Sequence, residues 1–314
     1  MTVLPAKPLN LLDDVADLTA ALMDIESVSG NEAAIADAVE QALKGLDHLE
    51  VVRDGDSIMA RTSLGRSERV ILAGHLDTAP LPSVPGSRGT VPSSRDGDVL
   101  YGRGATDMKG GVAVQLALAA RLTDPSRDIT FIFYDHEEVD ASLSGLGRLE
   151  KSFPEWLKAD FAILLEPTDG TVEGGCNGTM RFQARTTGKA AHSARAWMGE
   201  NAIHGAAEIL VRLRDHQPAT VRVEGLDYRE SLNAVKIHGG TAGNVIPDSA
   251  VVEINYRFAP DKNPAQAEAY VRELLDGFDL VLTDSSAGAR PGLDRPAAAS
   301  FVAAVGAEPK PKYG

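Results

Sequence analysis

Short apolar runs alternate with helix-length amphipathic segments over the first half of the chain. Strands are predicted at 50–61, 69–73, 129–134 and 161–165, the one at 129–134 as a buried strand, and helices at 11–23, 112–122 and 145–151. A further helix is predicted after Asn31, its expected N-cap, because Ile35, Val39 and Leu43 recur at helical spacing. Strands that alternate with helices are typical of α/β folds. We therefore expect a mixed, largely parallel sheet flanked by helices.

The order of the predicted elements changes after Pro167. The hydrophobic pattern then predicts a strand at 180–187, a helix at 202–214, strands at 232–237 and 250–258, a helix at 264–275 and a strand at 280–283. This β-α-β-β-α-β order is typical of a ferredoxin-like α+β unit. We expect it to form a separate domain, residues 177–287, inserted into a catalytic domain made of residues 1–176 and 288–314.

Composition narrows the range of partners. The 314 residues carry a net charge of −14, which argues against nucleic acid or an anionic membrane as a partner. Cys176 is the only cysteine, which excludes an internal disulfide and fits a reducing compartment. Residues 1–8 lack the apolar core of a secretion signal, and no apolar run reaches the roughly 18–20 residues of a membrane span. We expect a cytoplasmic protein.

Acidic and imidazole side chains follow the predicted strands and one glycine-rich loop, residues 101–111. These side chains belong to His75, Asp77, Asp107, Glu137, Glu138 and Glu166. The carboxyl ends of parallel strands meet at one edge of a sheet, where α/β proteins bind their ligands. We therefore expect these six residues to surround a single site.

Each of these positions also has an ordinary interpretation. His75 and Asp77 can form a surface pair, Asp107 can serve a turn or a helix cap, and Glu137 with Glu138 can be a solvated charge run. Glu166 can simply mark the exit of a strand. Four such coincidences, each at a strand or loop end, are a weaker explanation than one site. One histidine with several carboxylates and no cysteine suits a hydrolytic Zn²⁺, Mn²⁺ or Co²⁺ site better than a structural zinc site.

The ordered motifs resemble those of the M20 family of di-zinc amidohydrolases and peptidases. They are His75-x-Asp77, Gly104-Ala-Thr-Asp-Met-Lys-Gly-Gly111, Glu137-Glu138 and Glu166-Pro167. Further stretches at 138–147, 178–181, 191–195, 243–247 and 255–260 are most similar to the actinobacterial succinyl-diaminopimelate desuccinylases of that family. The resemblance implies hydrolysis of N-succinyl-LL-2,6-diaminopimelate to succinate and LL-2,6-diaminopimelate, a step of lysine and cell-wall synthesis.

The resemblance also implies roles for the acidic cluster. His75 and Glu166 would bind one Zn²⁺, Glu138 would bind the other, and Asp107 would bridge them. Two Zn²⁺ per subunit are implied, with Co²⁺ as an alternative. Asp77 would orient His75, because metal-bound histidines commonly have a carboxylate behind them. Glu137 would act as the general base.

In the inserted domain the resemblance implies substrate contacts. His192 would reach the active site of the partner subunit and stabilise the oxyanion, so a homodimer through this domain is expected. Arg181, Asn244 and Arg257 would hold carboxylates of a small N-acyl amino-acid substrate. Judged without the resemblance, His192 is an ordinary loop histidine, Asn244 a turn residue and Arg257 an exposed strand residue.

The sequence departs from the family in one respect. Members of the family take a further ligand for the second zinc from a histidine near the C-terminus, and no histidine of this sequence matches that position. We therefore expect the second metal site to be one ligand short and the activity of this chain to be in doubt. Two alternatives stay open: another M20 deacylase or carboxypeptidase, such as an acetylornithine deacetylase, or an inactive binding or dimerisation form.

Overall fold

The computed structural model describes residues 8–313, and it divides into two compact units, Met1–Asp169 and Gly170–Gly314. Residues 1–7, which hold most of the segment judged to lack a secretion signal, lie outside the described part. The division groups residues 288–314 with the second unit, whereas the sequence assigns them to the catalytic domain. The predicted boundaries of the inserted domain stay a prediction.

The first unit contains one five-stranded sheet and a small hairpin. Its strands are β1 (Glu50–Asp54), β2 (Ser57–Arg61), β3 (Arg69–His75), β4 (Ser94–Asp96), β5 (Val99–Tyr101), β6 (Asp128–Tyr134) and β7 (Phe161–Leu164). The sheet order is β1-β2-β6-β3-β7, with β3 parallel to both β6 and β7. Strands β1 and β2 pair antiparallel, and so do β2 and β6. The prediction of a mixed α/β sheet with a parallel centre is confirmed.

Helices cover both faces of this sheet. They are α1 (Val15–Met23), α2 (Ala33–Lys44), α3 (Gly110–Arg121) and α4 (Gly145–Ser152). Strand β6 is buried throughout and contributes to both apolar layers, because successive side chains of a strand point to opposite faces. Phe131 and Phe133 pack with the residues of α1–α3, while Ile132 and Tyr134 pack with Leu149 of α4. The sheet is therefore the middle of three layers, and its strand ends are held in fixed positions.

The second unit is built around a four-stranded antiparallel sheet. Its elements are β8 (Glu173–Gly174), β9 (Gly178–Thr187), β10 (Ala191–His192), α5 (Ala202–Asp215), β11 (Thr220–Val223), β12 (Leu226–Arg229), β13 (Ser231–Gly239), β14 (Val245–Ile246), β15 (Ser249–Phe258), α6 (Pro264–Leu274), β16 (Asp279–Ser286), α7 (Pro296–Val305) and β17 (Lys310–Pro311). The sheet order is β13-β15-β9-β16, and its strands and helices follow the predicted ferredoxin-like order. The sequence analysis missed the β11–β12 hairpin, although Val221, Val223, Leu226 and Tyr228 alternate with polar residues on either side of its turn.

The two faces of this sheet differ in polarity. Met180, Phe182 and Ala184 of β9 are buried together with residues of α5 and α6, and alternate residues such as Arg181 and Arg185 are exposed. The alternation of apolar and polar residues along β9 therefore indicates that helices cover one face of the sheet and leave the other face open. Within the described residues, none of the helices of either unit is long and apolar enough to cross a membrane.

The N-cap predicted for α2 was wrong by one residue. Helix α2 starts at Ala33 with Glu32 at the N-cap, and the Glu32 side chain makes no capping hydrogen bond. The side chain of Asn31 instead donates to Glu26 at 2.6 Å. Glu32 is turned inward and only 1% exposed, so burial has overridden the local capping preference of Asn31.

Gly111 at the start of α3 provides a test of the packing that holds the end of β7. A Cβ atom at this position would overlap the carbonyl oxygen of Leu165, which cannot move without displacing Glu166. We expect Gly111→Ala to lower the free energy of unfolding by about 1–3 kcal/mol, measured by urea denaturation. Gly147→Ala is the control, because the nearest atom to its added Cβ is 3.9 Å away. Equal stability of the two variants would contradict the close approach.

Candidate metal centre

Three strand ends bring the predicted acidic cluster to one edge of the central sheet. His75 is the last residue of β3, Glu137 and Glu138 follow β6, and Glu166 follows β7. Because these three strands are parallel neighbours, their carboxyl ends are adjacent. The edge contains two sets of residues, one around the imidazole of His75 and one around the carboxylate of Asp77.

The imidazole of His75 lies at the centre of the first set. The side chain is buried, and its Nε2 atom is 3.1 Å from Asp107 Oδ1 and 3.7 Å from Glu166 Oε1. One ligand atom from each of these three residues lies within 4.8 Å of the other two. Its Nδ1 atom is 2.9 Å from the backbone carbonyl of Asp77 and 3.5 Å from the Asp77 carboxylate. The orientation of the His75 ring is therefore fixed on its Nδ1 side by Asp77, whose backbone carbonyl is nearer than its carboxylate.

Asp107 reaches this set from the glycine-rich loop. The loop segment Ala105–Lys109 leads directly into α3, and Asp107 within it has an extended rather than a helical backbone, with φ −127° and ψ 96°. Lys109 anchors the loop, because its buried ammonium donates to the carbonyl of Leu22 in the last turn of α1 at 3.1 Å and to that of Ile25, just beyond this helix, at 2.7 Å. Burial lowers the pKa of Lys109 to about 8. Gly104 has φ +79°, and a Cβ there would lie 2.8 Å from Thr78, so this position requires glycine.

The carboxylate of Asp77 organises the second set. It is completely buried, and it accepts the backbone N–H of Glu137 on Oδ1 and that of Glu138 on Oδ2, both at 3.0 Å. The hydroxyl of Ser29 donates to Oδ2 at 2.6 Å. Although burial alone would raise the pKa of Asp77, the hydrogen bonds from His75, Ser29 and the two amides hold it well below its usual range. The carboxylate therefore stays ionised and fixes the two glutamates.

Negative charge accumulates at this edge. Burial raises the pKa of Glu138, and the charges of Asp107 and Glu137 raise it further. Burial would lower the pKa of His75, but hydrogen bonds to Asp107 and Asp77 and the charge of Glu166 outweigh it and raise the pKa to about 10. Both shifts show that the edge favours an added positive charge. The imidazole of His75 and the two carboxylates that converge on it, those of Asp107 and Glu166, are a donor set that suits Zn²⁺ or a similar divalent ion.

In the second unit, His192 and Asn244 lie in neighbouring segments. His192 ends β10, which pairs with β14, and the N–H of Ser193 donates to the carbonyl of Asn244 at 2.9 Å. The side chain of His192 is exposed, and its Nδ1 atom accepts the N–H of Ala194 at 3.1 Å. That hydrogen bond leaves Nε2 as the outward nitrogen, in a tautomer that can donate.

Arg181 and Arg257 share the open face of the four-stranded sheet. Arg181 pairs with Asn255 and Arg257 with Thr179 in the β9–β15 ladder, so the two arginines are diagonal neighbours. Arg181 is 3.9 Å from Asp284, whereas Arg257 has no ion pair within 4.0 Å among the residues described. Two neighbouring guanidinium groups on an open face can bind a carboxylate.

The sequence missed three residues that support the first-unit site. Lys109 ties the glycine-rich loop to the end of α1, Ser29 donates to the Asp77 carboxylate, and Glu32 accepts the N–H of His136. Lys109 is part of a recognised motif, but its burial cannot be read from the sequence. Ser29 lies 48 residues before Asp77 in the chain, and Glu32 lies 104 residues before His136. No local sequence pattern predicts contacts at such separations.

Comparisons with protein families match both parts of the chain. The model for a peptidase dimerisation domain of the M20 type matches residues 175–279. The model for peptidase family M28 matches residues 57–192, a range that includes the whole acidic cluster. The two matches assign a peptidase-like region and a dimerisation region to the chain.

Two curated relatives cover nearly all of it. A Mycobacterium tuberculosis protein, whose name gives it provisionally as the succinyl-diaminopimelate desuccinylase DapE, is 51% identical over 309 residues, which are 98% of this chain and 86% of the relative. A Corynebacterium glutamicum succinyl-diaminopimelate desuccinylase is 42% identical over 317 residues, covering 98% of this chain and 84% of the relative.

A solved structure extends the comparison to the fold. The M20 family metallo-carboxypeptidase of Sulfolobus solfataricus superposes with a TM-score of 0.77 at 16% identity, covering 96% of this chain and 85% of that one. With the dimerisation model and the two relatives, this likeness leads to one conclusion: the chain belongs to the M20 peptidase family and is a metal-dependent amidohydrolase.

Proposed function

We propose that the protein hydrolyses the amide bond of N-succinyl-LL-2,6-diaminopimelate and releases succinate and LL-2,6-diaminopimelate. The observation that carries this proposal is the convergence of His75, Asp107 and Glu166 within 4.8 Å, beside the anchored backbone of Glu137 and Glu138. The names of the two relatives supply the substrate. The other deacylases and carboxypeptidases of the family are not favoured, because the relatives with the highest identity here carry the desuccinylase name.

The residues that converge, His75, Asp107 and Glu166, suit one zinc ion, and a second ion would rest on Glu138 with one ligand missing. His75 and Glu166 would hold one ion, Glu138 the other, and Asp107 would bridge them. When bound, the two ions would polarise the scissile carbonyl and lower the pKa of a water molecule. The hydrogen bond that Nδ1–H of His75 donates to the backbone carbonyl of Asp77 leaves Nε2 as the metal-facing nitrogen.

Glu137 is the proposed general base. It is exposed, so its carboxylate is open to water, while its backbone N–H is tied to Asp77. Glu137 would take a proton from the attacking water and deliver it to the leaving amine, which must be protonated before it departs. A fixed backbone with an accessible carboxylate is the arrangement that such a proton shuttle needs.

The second-unit residues would recognise the substrate. Succinyl-diaminopimelate is an anion with three carboxylates, whereas the protein has a net charge of −14. Local positive charge is therefore required, and Arg181 and Arg257, with the amide of Asn244, would supply it. His192 would donate from Nε2 to the oxyanion in the site of a second subunit.

A homodimer is proposed through the second unit. Strand β13 lies at the edge of its sheet, where Ile237 is 48% exposed, and Ile203 at the start of α5 packs against Gly239 of β13 while remaining 39% exposed. An apolar edge strand beside an apolar helix side is suited to pairing with its own copy. The absence of nucleic-acid and membrane partners and the cytoplasmic location stay predictions from composition.

Activity assays test the reaction and the base together. We expect zinc-dependent release of succinate, strong preference for succinyl-diaminopimelate over N-acetylornithine, and a kcat loss of about 10²–10⁴-fold in Glu137→Gln, because an amide cannot accept the proton. Glu150→Gln, on the exposed side of α4, is the control and should retain activity. Preference for the acetyl substrate would contradict the assigned substrate, and an active Glu137→Gln would contradict the assigned base.

Metal content tests the ligand set. After dialysis against buffer without metal, we expect about one tightly held zinc per chain, because the second site is expected to lack a ligand. Asp107→Asn and His75→Ala should lose this zinc, whereas the exposed His204→Ala should retain it, as measured by inductively coupled plasma mass spectrometry. Two zinc ions retained per chain would show that the second site is complete.

Light scattering coupled to size exclusion tests the dimer. Ile237→Lys places a charge at the edge of β13, so we expect it to shift the protein from dimer to monomer. Leu12→Lys is the matched control, since Leu12 is 68% exposed in the first unit and should leave the mass unchanged. A dimer that persists in Ile237→Lys would exclude this edge as the contact.

A further inference from the structure

The side chain of Glu32 is a buried carboxylate that belongs to neither the proposed ligand set nor the proposed base. The side chain alone is 0% exposed, and it contacts the backbone of His136, in the segment that carries Glu137. Its Oε1 atom accepts the N–H of Gly30 at 3.0 Å and the N–H of His136 at 3.3 Å. Its Oε2 atom has no hydrogen-bond partner among the described residues. Burying a carboxylate is unfavourable, so a contact with a function is the simplest reason to keep it there.

His136 has an uncommon backbone conformation. Its φ is +57°, in the left-handed region that costs a non-glycine residue free energy unless its surroundings hold it. Two buried carboxylates surround its ring, with Nδ1 2.6 Å from Asp135 Oδ2 and 3.5 Å from Glu32 Oε1. Arg148 in turn donates to the Asp135 carboxylate at 2.6 Å. The left-handed turn is therefore fixed from both sides.

This turn decides where the next side chain points. Three successive backbone N–H groups, those of residues 136–138, donate to two buried carboxylates from distant parts of the chain. Glu32 holds the first amide, and Asp77 holds the second and third. If the first amide were released, His136 could relax toward negative φ, and the Cα–Cβ direction of Glu137 would rotate with it.

We propose that Glu32 is a positioning residue: by holding His136 in its left-handed conformation, it aims the carboxylate of Glu137 at the reacting water. The proposal rests on the base role given to Glu137 in the proposed function. Glu32 touches neither substrate nor metal ligands, so its removal should slow the proton transfer while leaving substrate affinity and metal content intact.

Two variants and one matched control test the proposal in the full-length protein. Glu32→Gln keeps an oxygen that can accept the His136 N–H but loses the charge, and Glu32→Ala loses both. Asp128→Asn is the control, because Asp128 is also a buried carboxylate that accepts two backbone N–H groups, but it lies at the opposite end of β6. All three variants are compared with the wild type for kcat, KM, zinc content and hydrogen–deuterium exchange of the peptide covering residues 134–139.

We expect Glu32→Ala to lower kcat at least 10-fold with KM changed less than 3-fold, zinc content unchanged and exchange at 134–139 accelerated. Glu32→Gln should fall between Glu32→Ala and the wild type, and Asp128→Asn should keep both kcat and the exchange of this peptide. Unchanged exchange in Glu32→Ala, or a kcat loss no greater than in Asp128→Asn, would overturn the proposal. Exchange does not depend on the substrate, so it tests the hold on His136 even if succinyl-diaminopimelate proves not to be the substrate.

Discussion

The candidate site depends on one buried carboxylate, that of Asp77. A fully buried anion is unfavourable unless hydrogen bonds replace its lost water, and here two backbone amides, one hydroxyl and the neighbouring imidazole do so. The same hydrogen bonds fix the amides of Glu137 and Glu138. The ionised state of Asp77 and the backbone positions of Glu137 and Glu138 therefore depend on the same hydrogen bonds, and neither can change without the other.

The accumulation of acids at one sheet edge has a further structural basis. Parallel pairing of β3, β6 and β7 forces their carboxyl ends together, whatever residues stand there. Hydrogen bonds hold the backbone around this edge: Lys109 ties the loop to carbonyls at the end of α1, and Glu32 and Asp77 hold the amides of residues 136–138. A site of this kind is rigid before any ligand arrives, which reduces the reorganisation that a reaction requires.

The sequence predicted most of this architecture because its signals are local. Most helices and strands of the two units were predicted to within a few residues, and apolar runs that end in acids indicated the sheet edge where His75 and Glu166 lie. What it could not predict depends on contacts between distant segments. The inward turn of Glu32, the donation of Lys109 to α1 and the left-handed His136 are all set by burial. The hairpin of β11 and β12 was missed although its signal is local, because two strands of four residues each give only a short alternating pattern.

The pairing of β9 with β16 has a consequence for how such a protein could arise. Thr179 near the start of the four-stranded sheet lies opposite Ser286 near its end, so the chain enters and leaves the sheet about 5 Å apart. A module with adjacent termini can be spliced between two neighbouring codons of an ancestral gene without stretching the recipient polypeptide.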